Sequence, residues 1–268
     1  MSLKIYHEMG KKFEEYLRPS TFPIGIKLIK DESEIPANSR RPSSTLKVQN
    51  FICQNFKMAR TYGWTMAVTD ADCVCRLARA VYGWDSLTEE MSDWGHQFNV
   101  GLYSKDVETS KKLEEHLFLL NNEYLGLVIS PLTRTKVEPD IVQIYCLPAQ
   151  AMRLTQAYLY MEGGVLEFTD AGRIGSCHVG VIKTFQTDKP QLVILGNGDR
   201  IWGGAEDYEV MYSIPRSKLE MIIEGLEATH SAGLRYPIPK YMSYKPGFQA
   251  PFKKKAMKRA GGTLVKEK

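Results

Sequence analysis

No apolar run in this sequence approaches the length of a membrane span. The longest, residues 125–129 and 192–195, are a handful of residues each, where a spanning helix needs about 20. The first 17 residues carry Lys4, Glu8, Lys11, Lys12, Glu14 and Glu15 and hold no apolar signal core. Cysteine is scarce and odd in number, at five. Together these features predict a cytoplasmic protein with reduced thiols, not a disulfide framework and not a membrane protein. A strong charge of one sign is also missing: 35 Lys and Arg stand against 31 Asp and Glu, for a net charge of +4. There is no low-complexity tract and no internal repeat. The common catalytic signatures are missing too. The sequence has no Walker-type phosphate loop, no dinucleotide fingerprint, no nucleophile elbow and no paired-histidine zinc helix.

What is present is ordinary globular composition, with 43% hydrophobic and 25% charged residues in 268. A chain of this size buries roughly three quarters of its unfolded surface. It needs neither a disulfide nor a metal simply to fold. The surplus of positive charge gathers at the C-terminus, in Lys253, Lys254, Lys255, Lys258, Arg259, Lys266 and Lys268. Nucleic-acid binding would want aromatics interleaved with such a run, and only Phe248 and Phe252 lie near it. Residues 1–244 are therefore expected to form one globular domain. Residues 245–268 are expected to form a basic peripheral tail, a solvated end in the first reading and a contact for a protein partner in the second, with nucleic acid disfavoured.

Hydrophobic periodicity supplies the elements. Ile5, Met9, Phe13 and Leu17 recur on one helical face, and Pro19 ends that helix. Residues 23–30, 64–69, 124–130, 141–146, 165–169 and 192–195 have strand character. Residues 46–58 fit no single template. Helices are expected over 70–82, capped by Asp70 or Asp72, over 104–120, over 148–161, and from Pro215 to Gly233. Asn197-Gly198 between two apolar stretches predicts a hairpin turn. Helices and strands are interspersed without strict alternation, so the fold class is α+β: a single domain on a mixed sheet.

Candidate chemistry is concentrated in the cysteines and in two glycine-rich turns. Cys73 and Cys75 stand at the expected start of the helix over 70–82. Unpaired backbone amides there favour a thiolate, but residues two apart on a helix diverge, so at most one faces a given site. Cys146 sits in an apolar strand and reads as core. The turns at 172–175 and 196–200 bring Arg173, Asn197, Asp199 and Arg200 to positions where backbone and guanidinium groups could hold an anion. Alternatively, each arginine pairs with a carboxylate such as Asp199 or Asp170. Among the five histidines, only His178 adjoins a cysteine, Cys177.

Several stretches taken together resemble a known family. They are 23–27 (PIGIK), Cys53-Gln54, 72–75 (DCVC), 138–140 (EPD), 148–154 (PAQAMRL), 172–177 (GRIGSC), 197–200 (NGDR) and 235–239 (RYPIP). The set is similar to the domain of unknown function 169 (DUF169) family, which is common in archaea and anaerobic bacteria, over roughly residues 5–240. The family has no established activity to carry over. Its pattern implies cysteines at Cys53, Cys75 and Cys177. A further cysteine in many members falls where this chain has Gly196, so Cys73, Cys146, His178 or an external ligand is left to complete a four-ligand set.

Three functions follow. The first is a redox or metal-binding protein of anaerobic metabolism, with Cys53, Cys75 and Cys177 as ligands to an iron–sulfur cluster or else zinc. The second is a non-catalytic subunit or accessory factor of an enzyme complex, docked through the basic tail. The third is a metal-free thiol enzyme or small-acid binder using Arg173 and Arg200. The residues alone assign no reaction.

Overall fold

A computed structural model describes residues 2–85, 89–170 and 172–239. The expected tail, 245–268, lies outside the described residues. Along the chain run α1 (Leu3–Leu17), β1 (Ile24–Ile29), α2 (Ile52–Tyr62), β2 (Met66–Thr69), α3 (Arg76–Val81), α4 (Glu89–Asn99) and α5 (Val107–Glu114). They are followed by β3 (Gly126–Pro131), β4 (Ile141–Cys146) and α6 (Pro148–Glu162), then a π-helical segment, Gly175–Lys183, that passes into α7 (Thr184–Thr187). The last elements are β5 (Gln191–Val193), α8 (Asn197–Ile201), β6 (Val210–Pro215) and α9 (Leu219–Ser231). Among the described residues no helix is long and apolar enough to cross a membrane.

The six strands form one sheet in the order β2-β3-β1-β4-β6-β5. Every ladder is antiparallel, from Ile26 opposite Ile129 to Ile144 opposite Tyr212. The fold is the expected single α+β domain, but its sheet is antiparallel and not mixed. The reason lies in burial. Both faces are covered, so β3 and β4 are buried at all six positions. A strand buried on both faces reads as a plain apolar run whichever way its neighbour points.

Each face has its own core. Val142, Ile144 and Cys146 of β4 pack with Phe13 and Leu17 of α1, Leu154 of α6 and Ile222 and Leu226 of α9. Ile141 and Tyr145 point the other way, toward Ile52 and Phe56 of α2 and Cys177, Val181 and Ile182 of the π-helical segment. Helices α6 and α9 approach so closely that a Cβ on Gly225 would stand 2.1 Å from the Ala157 carbonyl oxygen, so only glycine fits.

Four expected elements differ. The helix over 70–82 is split: Asp70–Asp72 make one 3-10 turn and α3 begins only at Arg76. The Asp72 carboxylate explains the break, because it turns back to accept from the Thr69 amide at 3.0 Å and the Ser43 amide at 3.0 Å. The helix over 104–120 keeps only its middle, capped by Asp106, which accepts from the Thr109 amide at 2.7 Å. Residues 165–169 form no strand; Val165 and Phe168 are exposed and have no neighbouring strand to pair with. The Asn197-Gly198 hairpin is absent, because Asp199 accepts from the Gly196 amide at 3.0 Å and opens α8 at that point.

Candidate functional site

Cys53 is the second residue of α2, and Cys75 immediately precedes α3. Asn50 joins the two helix starts. Its amide donates to the Asp72 carbonyl at 2.9 Å, and its carbonyl accepts from the Val74 amide at 3.1 Å. The start of α2 is fixed by Gln54, whose side-chain oxygen accepts from the Phe51 amide at 2.8 Å.

Cys177 comes from the other side of the site, as the third residue of the π-helical segment. Such wide turns are rare and recur at functional sites. This one is held at several points. The Ser176 amide donates to the Asp199 carboxylate at 3.2 Å, and the Ser176 hydroxyl donates to the same group. Gln143 donates to the Ser176 carbonyl at 2.9 Å, and the Tyr82 hydroxyl donates to the Cys177 carbonyl at 2.9 Å. Gly175 is required here, since a Cβ would meet Asp199 Oδ2 at 2.8 Å.

Cys53, Cys75 and Cys177 line one cavity of about 540 Å³ with Arg173, Asn197 and Asp199. Phe51, Trp94, Phe98, Tyr103 and Trp202 contribute an aromatic wall. Phe51 and Trp202 stack with ring centroids 4.8 Å apart and planes 6° off parallel. The Cys53 thiol donates to the Gly198 carbonyl at 3.4 Å. Cys73 is buried behind Cys75, with its thiol 3.8 Å from the Cys75 carbonyl oxygen, and is not part of the lining. Cys146 lies on the opposite face of the sheet, as core.

All three lining thiols are pushed up from the usual thiol pKa. Burial is the main cause for each. The Asp199 carboxylate adds to it at all three, and neighbouring thiols add to it at Cys53 and Cys177. Cys73 is likewise pushed up to about 12 by burial. The helix-start argument for a thiolate at Cys75 is therefore corrected. The Leu77 and Ala78 amides do pull its pKa down, but burial outweighs them.

The anion-binding expectation is divided. Arg173 lines the cavity but is engaged from behind: it donates to the Asn99 side-chain oxygen and pairs with Glu114 at 3.5 Å. Arg200 donates to the Glu206 carbonyl and lies outside the lining, so the two guanidinium groups do not share this cavity. Asp199 is an anchor that joins α8 to the π-helical segment. Asp199→Ala is expected to strand the Ser176 and Gly196 amides and cost about 3 kcal/mol of stability. Urea unfolding measures this, and a loss within error would contradict the anchor. His178 turns away from the thiols, with Nε2 accepting from the Phe118 amide at 2.8 Å.

Sequence reading missed the aromatic wall and the Asn99–Glu114 brace. It also missed the π-helical segment, whose one local sign is a pair of glycines, Gly175 and Gly180, five residues apart. Among the described residues no three His, Cys, Asp or Glu side chains are grouped tightly enough to hold a metal ion.

The model of the DUF169 family, described as Uncharacterised ArCR, matches residues 12–225. An uncharacterised protein of Methanocaldococcus jannaschii is 26% identical over 228 residues, which cover 85% of this chain and 96% of that protein. No solved structure matches the chain. Matched by the family model over most of its length, the chain belongs to the DUF169 family.

Proposed function

We propose that the thiol cavity holds a cysteine-ligated centre on Cys53, Cys75 and Cys177, in a cytoplasmic protein of anaerobic metabolism. The observation that carries this reading is the shared cavity: three cysteines far apart in sequence line it together. Thiolates are soft ligands suited to iron–sulfur clusters and zinc. A cation bound there would displace the thiol protons and supply the positive charge that this buried group of thiolates and Asp199 would need. An iron–sulfur cluster suits the site better than one zinc ion. Sulfurs on a single zinc must stand roughly 3.5–4 Å apart, and among the described residues no three donors are grouped for one ion. A cluster carries its own sulfides and spans a wider triangle of cysteines. Three protein ligands would leave one position open, suited to a substrate or an electron partner.

A second reading, a metal-free ligand pocket, is favoured by the thiols being held protonated by burial. The two readings separate on one experiment: anaerobic purification followed by iron, zinc and acid-labile sulfide analysis. The cluster reading expects iron and sulfide in comparable amounts. Protein free of iron, sulfide and zinc, even after reconstitution, supports the metal-free pocket.

A further inference from the structure

A second cavity of about 690 Å³ lies against the π-helical segment, lined by His178 and Lys183 rather than by thiols. Its volume is in the range of small-molecule sites. Two polar groups there are incompletely partnered for their burial. Lys183 is 9% exposed, yet among the described residues no carboxylate lies within ion-pairing reach. Its amine has two uncharged neighbours, the Thr169 hydroxyl at 2.5 Å and the Phe118 ring at 5.8 Å. Burial alone acts on its pKa, downward, and no neighbouring anion raises it. A buried ammonium without a counter-charge is costly.

His178 supplies the second unpartnered group. Its Nε2 accepts a backbone proton, so the ring proton sits on Nδ1, and buried Nδ1 has no acceptor among the described residues. The two side chains are five residues apart in a segment whose hydrogen bonds run i to i+5, which places them on one face. An ammonium without a counter-charge and a ring donor without an acceptor on one wall call for an anion. Leu113, Leu117, Phe118 and Val179 make the remaining wall apolar. Of the carboxylates on the lining, Asp170 accepts from the Gly172 amide, and Glu115 is exposed.

We propose that this second cavity binds a small carboxylate with an apolar body, its anionic end held by Lys183 and His178. The inference is independent of the cysteine centre. The test is calorimetric titration of the purified full chain with benzoate in carboxylate-free buffer, with benzamide and inorganic phosphate as comparators. Saturable benzoate binding is expected, with benzamide roughly tenfold weaker because it lacks the charge. Lys183→Met should weaken benzoate by a similar factor and Lys183→Arg by less. Three results would overturn the proposal: no saturable benzoate binding, equal binding of benzoate and benzamide, or phosphate bound in preference to both. Undiminished binding by a folded Lys183→Met chain would overturn it as well. Should that variant fail to fold, the benzoate–benzamide comparison on the native chain decides.

Discussion

Each of Cys53→Ser, Cys75→Ser and Cys177→Ser is expected to weaken iron–sulfide binding by the anaerobically prepared protein by about a hundredfold or more. Even residues that only support a ligand typically cost ten- to a hundredfold, and these three would be the ligands themselves. Two controls make the expectation specific. Cys146 is 2% exposed and packs with α1, α6 and α9 on the far face of the sheet, so Cys146→Ala should keep its metal. Cys73 adjoins Cys75 but lies outside the cavity lining, so Cys73→Ala should keep it too. Metal analysis and visible absorption on the five variants check this. Retention of iron by all three lining variants, or its loss from Cys146→Ala, would sink the assignment.

Arg60→Ala is expected to destabilise the fold by about 3–5 kcal/mol, the usual cost of breaking a buried ion pair from one side. Arg60, on α2, is 3% exposed and pairs at 3.5 Å with Glu209, itself 4% exposed. It also donates to the Gly204 carbonyl at 2.8 Å and lies over the Tyr145 ring at 4.1 Å. The substitution leaves Glu209 as an uncompensated buried carboxylate and frees the Gly203–Gly204 turn from α2. That turn follows α8, the helix of Asp199, so Arg60 braces the helix of Cys53 against the anchor of Cys177. Urea unfolding gives the magnitude; a loss under about 1 kcal/mol would show the pair to be dispensable.

The legible parts of the fold are those where one local pattern dominates. The run at 141–146 and the heptad-like spacing of Leu219, Ile222, Ile223 and Leu226 carry their own periodicity, and β4 and α9 stand there. Strand direction was not legible, because a sheet covered on both faces leaves no polar side to read. Asn197-Gly198 misleads because turn propensity is a local preference. A carboxylate two residues on, reaching back to Gly196 and across to Ser176, overrides it.

At the candidate site, Cys53 and Cys177 could be singled out only through the family resemblance, and Cys75 had in addition only its place near a helix start. Their spacing of 22 and then 102 residues carries no ligand signature. The stacked Phe51 and Trp202 lie far apart in the chain, and their pairing depends on how α8 is set against α2. Arg173 looked like a free anion binder because its partners, Asn99 and Glu114, lie in a different stretch of sequence. Burial likewise decides the state of the Cys75 thiol, and burial is a tertiary property that the position before a helix does not reveal.

The central claim is that Cys53, Cys75 and Cys177 act together on one bound centre. The most direct measurement is an anomalous difference map at the iron edge from crystals of the protein prepared and frozen without oxygen. The account predicts a strong peak inside the cavity, bonded to the sulfurs of Cys53, Cys75 and Cys177. A map with no peak there, from crystals of protein reconstituted with iron and sulfide, would contradict it; so would iron bound elsewhere with the three thiols left free.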